Sequence, residues 1–240
     1  MHFQLTILVD NTVRGKNLWK DWGFSCLISW RGSKILFDTG SQPDILAQNA
    51  RVLGIDLKKI STVFLSHIHS DHTGGLPAIL SANPAVTIWV PASFPQSFTE
   101  SVASFKTTVR RVSGPEEILP GIFSTGELGT SIREQSLVIE TPRGLVVVTG
   151  CSHPGIVTIL ETVQKQFHKN IYFVVGGFHL NWTSDEKVRD IVHKFKQLGV
   201  EKVAPAHCTG SRAENLFQKI YGSQYVPAGA GLLLDWDLGE

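Results

Sequence analysis

The sequence predicts an α/β fold, and three observations carry that prediction. Short apolar runs rich in β-branched and aromatic residues, such as Ile60–Leu65 and Leu145–Thr149, alternate with segments whose apolar residues recur at helical spacing. Five of the apolar runs end in polar loops of one kind, at Asp38, His67–His72, Cys151–His153, His179 and His207. Six of the nine histidines lie in those loops; His2, His168 and His193 do not. Residues so far apart in the chain meet when strand ends converge along one edge of a sheet sandwich. Finally, 240 residues with 42% hydrophobic and 18% charged side chains suffice for a substantial core and argue against a disordered chain.

Each element has its own local signature. Phe3, Leu5, Ile7 and Val9 alternate with polar neighbours and predict a half-buried strand over residues 3–9, ended by Asp10 and Asn11. Residues 12–23 have no clean period and carry Lys16, Trp19, Lys20 and Trp22. They form either a loop that covers a site or a surface excursion packed by its tryptophans. Phe24–Trp30 and Lys34–Phe37 predict a hairpin across Arg31-Gly32-Ser33. Ser41 and Pro43 open a helix that runs to about Leu53 and stops at Gly54. Ile60–Leu65 predicts a strand, Leu76–Ser81 a short helix and Val86–Val90 a strand, whereas residues 91–116, punctuated by Pro91, Pro95, Gly114 and Pro115, predict nothing definite. Strands are expected over Ile118–Ser124, Ser136–Glu140 and Leu145–Thr149, then a helix carrying Ile156, Ile159, Leu160, Val163 and Phe167. After a strand at Ile171–Val175, Thr183-Ser184-Asp185-Glu186 reads as a capping box for a helix ended by Gly199. Lys202–Pro205 is a short strand, Ser211 and Glu214 a second capping box for a helix to about Tyr221, and Gly231–Asp235 a last strand. No linker or repeat divides the chain, so residues 1–240 are expected to form one domain.

The totals exclude several classes. A formal charge of +1 gives no basis for nonspecific nucleic-acid or membrane binding. No run of apolar residues is long enough to span a bilayer. Met1–Leu5 lacks the basic opening of a signal peptide, and Cys26, Cys151 and Cys208 are odd in number and widely spaced, so a reducing cytoplasm is expected.

The chemistry concentrates in His67-Ile68-His69-Ser70-Asp71-His72. If the preceding strand continues briefly, its period of two puts His67 and His69 on one face. A turn then brings Asp71 and His72 round, so two nitrogens can hold one cation and an oxygen plus a nitrogen a second. Imidazole and carboxylate suit zinc, with manganese or iron as alternatives. A polar loop with chance histidines is the plain alternative, and four such residues in six positions after a strand argue against it.

This stretch resembles the HxHxDH motif of the metallo-β-lactamase superfamily, and Phe37-Asp38-Thr39-Gly40 resembles its DTG turn. The resemblance implies an αββα sandwich of two mixed sheets flanked by helices, with metal ions at the strand-end edge. It implies His67 and His69 on a first metal, Asp71 and His72 on a second completed by His207, and Asp38 as a group that orients the metal loop or simply bonds local amides. Two positions depart from the pattern. Ser124–Leu128 lacks the histidine of the third motif, and the aspartate that bridges the metals is replaced in Thr149-Gly150-Cys151. His153 is the expected replacement ligand, and Cys151 is either a small buried residue or a thiolate ligand.

The stretches Gly150–Gly155, Gly176–Leu180 and His207–Gly210 narrow the resemblance to the branch containing dihydropterin-synthase-like enzymes of methanopterin biosynthesis. What it implies is a hydrolase or transferase that acts on a small phosphorylated or pterin-like metabolite through a metal-bound hydroxide. Asp71 would ligate and orient the nucleophile, and His179 would donate a proton to the leaving group or else be structural. Lys16, Lys20 and Arg133 are the loop cations available to a phosphate. A metal-binding sensor and a nuclease or phosphodiesterase of the same superfamily are the rival readings. With three separate cysteines in a reducing setting, thiol titration of denatured, unreduced protein is expected to find all three free; a titre near one would contradict this.

Overall fold

The structure, a computed structural model, describes residues 2–239. The chain opens with antiparallel strands β1 (His2–Val9), β2 (Ser25–Trp30) and β3 (Ser33–Phe37). Positive φ at Arg31 (49°) and Gly32 (77°) closes the tight turn between β2 and β3. Helix α1 (Pro43–Val52) crosses to β4 (Thr62–Phe64). Helices α2 (Ser70–Thr73) and α3 (Leu76–Ala82) lead to β5 (Thr87–Pro91), and α4 (Gln96–Val102) to β6 (Thr108–Val112). Strands β3 to β6 run parallel.

A second sheet begins with the antiparallel strands β7 (Glu116–Leu119), β8 (Ile122–Ser124), β9 (Leu137–Thr141) and β10 (Gly144–Thr149). Helix α5 (Ile156–Phe167) then crosses to β11 (Ile171–Gly177) and α6 (Asp185–Gln197) to β12 (Lys202–Ala206), both strands parallel to β10. After α7 (Ser211–Tyr221), β13 (Leu233–Asp237) returns to pair with β1. The sheet orders are β13-β1-β2-β3-β4-β5-β6 and β12-β11-β10-β9-β8-β7. The result is the expected αββα sandwich.

Strand periodicity assigns the layers. Phe3, Leu5 and Ile7 of β1 point between the sheets and meet Val146, Val148, Phe173 and Val175 from the other side. The alternate residues Leu145 and Val147 of β10 face α5, α6 and α7, while Val9, Leu36 and Val63 face α1 and α3. With both faces covered, β10 reads as an unbroken apolar run.

Several expectations need correction. The strand expected over Ile118–Ser124 is two, because the chain reverses at Gly121 (φ 74°). Residues 91–116 hold α4 and β6, an edge strand whose Thr108, Arg110 and Arg111 are exposed, so no apolar alternation marks it. The last strand lies two residues later than expected, over Leu233–Asp237. Ser184, not Thr183, caps α6 by accepting from the Lys187 amide, and Gly210 precedes α7, so Ser211 lies inside the helix without capping it. Among the described residues, no helix is long and apolar enough to cross a membrane.

Phe37 is fully buried, stacked on Phe64 at 5.6 Å and edge-on to Phe24 at 6.1 Å. Phe37→Ala is expected to lower the unfolding free energy by about 3–5 kcal/mol in urea titration. Phe105→Ala, in the exposed turn that follows α4, should cost far less.

Candidate metal centre

Strands β3, β4, β10, β11 and β12 deliver their carboxyl ends to one edge of the sandwich, and each releases site residues there. β3 ends at Asp38, β4 runs into Ser66 and His67, and β10 into Gly150 and Cys151. β11 ends before Phe178 and His179, and β12 before His207. Non-glycine residues with positive φ collect at these ends: Asp38 (51°), Ser152 (67°), His179 (55°) and His207 (48°). Such conformations cost about 1–3 kcal/mol each and cluster where side chains must be aimed. Two glycines let the strand ends close up. A methyl group on Gly150 would collide with Ser66 Oγ, and one on Gly177 would lie 2.6 Å from Cys208 Sγ.

All six expected metal ligands come together. One donor atom each from His67, His69 and His153 lies within 4.8 Å of the others, as does one each from Asp71, His72, Cys151 and His207. The split follows the pairing of His67 with His69 and of Asp71 with His72 read from the motif. The ring of His67 lies 4.2 Å from that of His72 and 4.7 Å from that of His153. His179, expected near the leaving group, stands 4.7 Å from His153 and forms a further donor group with Cys151 and Cys208. Cys151 is buried, as expected of a small apolar residue, yet its Sγ lies 3.2 Å from His72 Nε2.

The outer partners fix which nitrogen of each imidazole carries its proton. Ser66 Oγ gives its hydrogen to Asp38 Oδ2 (2.7 Å), so toward His67 Nδ1 (2.9 Å) it can only accept. His72 Nδ1 donates to Asp38 Oδ2 at 2.6 Å. His153 Nδ1 faces Glu134 Oε2 at 2.9 Å. His207 Nδ1 faces Asn11 Oδ1 at 3.0 Å, and that oxygen is defined because Asn11 Nδ2 donates to the His207 carbonyl. In all four the Nδ1–H points outward and the Nε2 lone pair points into the cluster. His69 is turned the other way, its Nδ1 facing His67 Nε2 at 3.1 Å. Hydrogen-bonded imidazoles held in one tautomer are the common outer layer of a metal site.

Electrostatics agree. Burial pushes His67 and His72 down to about 3, so both rings are neutral at neutral pH and can act as Lewis bases. Burial works to raise the Asp71 carboxyl, but His207 and His72 outweigh it and hold the group well below the carboxylate range. His207 Nε2 is buried, makes no aligned hydrogen bond and faces Asp71 Oδ2 at 3.3 Å. Burial works to raise the Asp38 carboxyl, and the amide and hydroxyl of Ser66 act against it by bonding to the charged form.

Sequence reasoning missed four contributors. Glu134, fully buried, accepts from the amides of Cys151 (3.0 Å), Ser152 (2.8 Å) and His153 (2.9 Å) as well as from His153 Nδ1. Its polar neighbours read as a solvated loop, and nothing local marks it. Asp10 accepts from the His207 amide at 2.9 Å, and Asn11 holds its ring. Their signal was available, since Asp10 and Asn11 end an alternating strand as Asp38 does. Cys208 lies beside Cys151 and His179. Residues 12–23 are tied down by Asn49, which bonds Trp19 on both sides at 2.8 Å, and they place Trp22 edge-on to His207 at 5.2 Å. The segment therefore covers part of the site. Of the three loop cations, Arg133 is paired with Glu127 at 3.2 Å, and Lys16 and Lys20 are exposed.

A cluster of imidazole, carboxylate and thiol donors at the strand ends of an αββα sandwich is the arrangement of one class of protein, and the comparisons place the chain in it. The family model described as the metallo-β-lactamase superfamily matches residues 24–207, and the chain belongs to that superfamily. It is 29% identical to the 7,8-dihydropterin-6-methyl-4-(β-D-ribofuranosyl)-aminobenzene-5′-phosphate synthase of Methanocaldococcus jannaschii, over 95% of each chain. It is 28% identical to an uncharacterized protein of the same organism, over 87% of this chain and 91% of that one. Among solved structures, a metal-dependent hydrolase of the β-lactamase superfamily is 31% identical, with a TM-score of 0.81 and 97% and 98% of the two chains covered.

Glu134 supplies the test of this layer. Burial raises its carboxyl, but the hydrogen bond from His153, the charge of His67 and the amides of Ser152 and His153 win and hold it at about 2. Because the folded-state value is depressed, its stabilisation is complete above its ordinary value of 4.5 and is lost as pH falls toward 2. Glu134→Gln is expected to lower the urea midpoint at pH 7 and to flatten the pH dependence across that window. Parallel curves for wild type and variant would contradict the assignment.

Proposed function

We propose that the protein is a metal-dependent hydrolase or transferase acting on a small phosphorylated or pterin-like metabolite. The observation that carries this reading is the set of imidazole lone pairs turned inward by outer hydrogen bonds, with His207 Nε2 buried and facing the Asp71 carboxylate. These residues fit one or two divalent cations. His67, His69 and His153 would hold one, and Asp71, His72, His207 and Cys151 the other. Imidazole, carboxylate and thiolate together favour zinc over the harder manganese, with iron between them. Such a cation, when bound, supplies Lewis acidity toward the electrophile and lowers the pKa of a coordinated water toward about 7.

The chain's own residues supply the rest. Asp71, kept ionised by His72 and His207, would orient the attacking water or substrate hydroxyl and accept its hydrogen bond. His179 is exposed beside the cluster, and its hydrogen bond with Cys208 raises its pKa, so it is suited to hand a proton to a leaving group. Trp22 narrows access over His207. Likeness to the archaeal synthase supports a pterin or sugar-phosphate substrate, and the near-neutral charge supports a small molecule over a polynucleotide, whose backbone is bound through cationic side chains. Unbonded Cys151 and Cys208 at the centre suit a reducing, cytoplasmic setting.

Metal analysis together with turnover on phosphate monoesters, phosphodiesters, lactones and pterins tests the reading. His67→Ala should lose most of the metal. His179→Ala should keep its metal and lose turnover about 10²–10⁴-fold, the usual range for a proton-transfer group. Steady turnover of RNA with no action on small esters or pterins would overturn the substrate class. Wild-type turnover in His179→Ala would make that residue structural.

A further inference from the structure

Beside the cluster, a cavity of about 240 Å³ lies between the start of α5 and the 178–191 segment. His153 and His179 form the wall it shares with the donor groups, and Ile156, Val157, Phe178, Leu180 and Ile191 make up most of the remainder. A wall of apolar side chains next to inward-facing imidazoles has no role in holding a cation. Apolar cavities of roughly 150 Å³ accept a benzene ring, so this one has room for one or two fused rings. Lys187, exposed on the first turn of α6, also lines the cavity. Among the described residues its ammonium makes no ion pair or hydrogen bond; only its backbone amide is used, by Ser184. Two nearby charges are otherwise engaged, since Asp185 pairs with Arg212 at 3.1 Å.

The geometry points to a substrate subsite for an aryl or heteroaryl ring that carries an anionic group. The ring lies against Ile156, Leu180 and Ile191, the anion meets Lys187, and the reacting end passes His179 and His153 to reach the cluster. This rests on the metal-dependent reading above and adds a substrate shape to it: a flat, singly anionic or phosphorylated aromatic compound, in place of an aliphatic phosphate ester.

Amide-resolved NMR titration of the metal-loaded protein tests the subsite with three probes. Benzenesulfonate has both ring and anion and is a poor metal ligand; aniline has the ring alone, and methanesulfonate the anion alone. Benzenesulfonate is expected to shift the resonances of residues 178–191 and to bind more tightly than either fragment. Lys187→Ala should weaken benzenesulfonate about tenfold, in the range of a lost charge-assisted hydrogen bond, and leave aniline unchanged. Ile191→Trp, which fills the cavity, should lose both probes with the metal content retained. Thr183→Trp at the rim serves the same purpose if the first variant does not fold. Shifts confined to another surface, or affinities that neither variant changes, would overturn the subsite. If benzenesulfonate binds here while no ester or pterin is turned over, the subsite stands and the reaction does not. If aryl phosphates are turned over and Ile191→Trp leaves KM unchanged, the reaction stands and the subsite does not.

Discussion

Asp38 sits at the end of β3 with no exposure to solvent, and its two oxygens take hydrogen bonds from the Ser66 amide, the Ser66 hydroxyl and His72. One carboxylate thereby joins the end of β3, the end of β4 and the short helix α2. It also sets the protonation of two imidazoles of the cluster, His72 directly and His67 through Ser66. Burying such a group costs several kcal/mol unless its lone pairs are filled, and three donors at 2.6–2.7 Å fill them. The His67–His72 loop is tied to the strand ends by these bonds alone.

The opposite side of the centre has an independent counterpart. Glu134 is equally buried and takes three consecutive amides at the end of β10 together with His153. Asp38 organises the first sheet's contribution and Glu134 the second's, and Asp10 with Asn11 does the same for His207. Four acidic or amide side chains, each at a strand end or bridge, so hold the imidazoles of three loops. Close approach of those loops is possible because Gly150 and Gly177 carry no side chain where Ser66 and Cys208 come in.

The substitution of Cys151 for the carboxylate of the wider family changes the character of the centre. A thiol in contact with His72, and near Cys208 and His179, brings soft donors to a site otherwise built from imidazole and oxygen. His153, two residues on, places an imidazole beside His67 and His69, where the third motif of this chain offers none. These two changes are coupled by position: both residues hang from one strand end, and the same Glu134 carboxylate holds both of their amides.

The sequence alone determined what depends on local spacing. The His67–His72 run, the DTG turn and the period-two strands are contiguous, so their chemistry and layer were legible without a structure. The polar strand ends also announced that distant histidines would meet. Tertiary structure decided what depends on register between distant segments. Nothing near Glu134 marks it as buried, because its surroundings are polar in sequence and its partners lie at residues 151–153. Strand β6 escaped notice because an edge strand need not alternate. The grouping of His153 with His67 and His69, and of Cys151 with Asp71, His72 and His207, follows from where β10 ends against β4 and β12. The tautomer of each ring was likewise invisible in the chain, since a proton's position is fixed by the partner it faces, and those partners are up to 196 residues away.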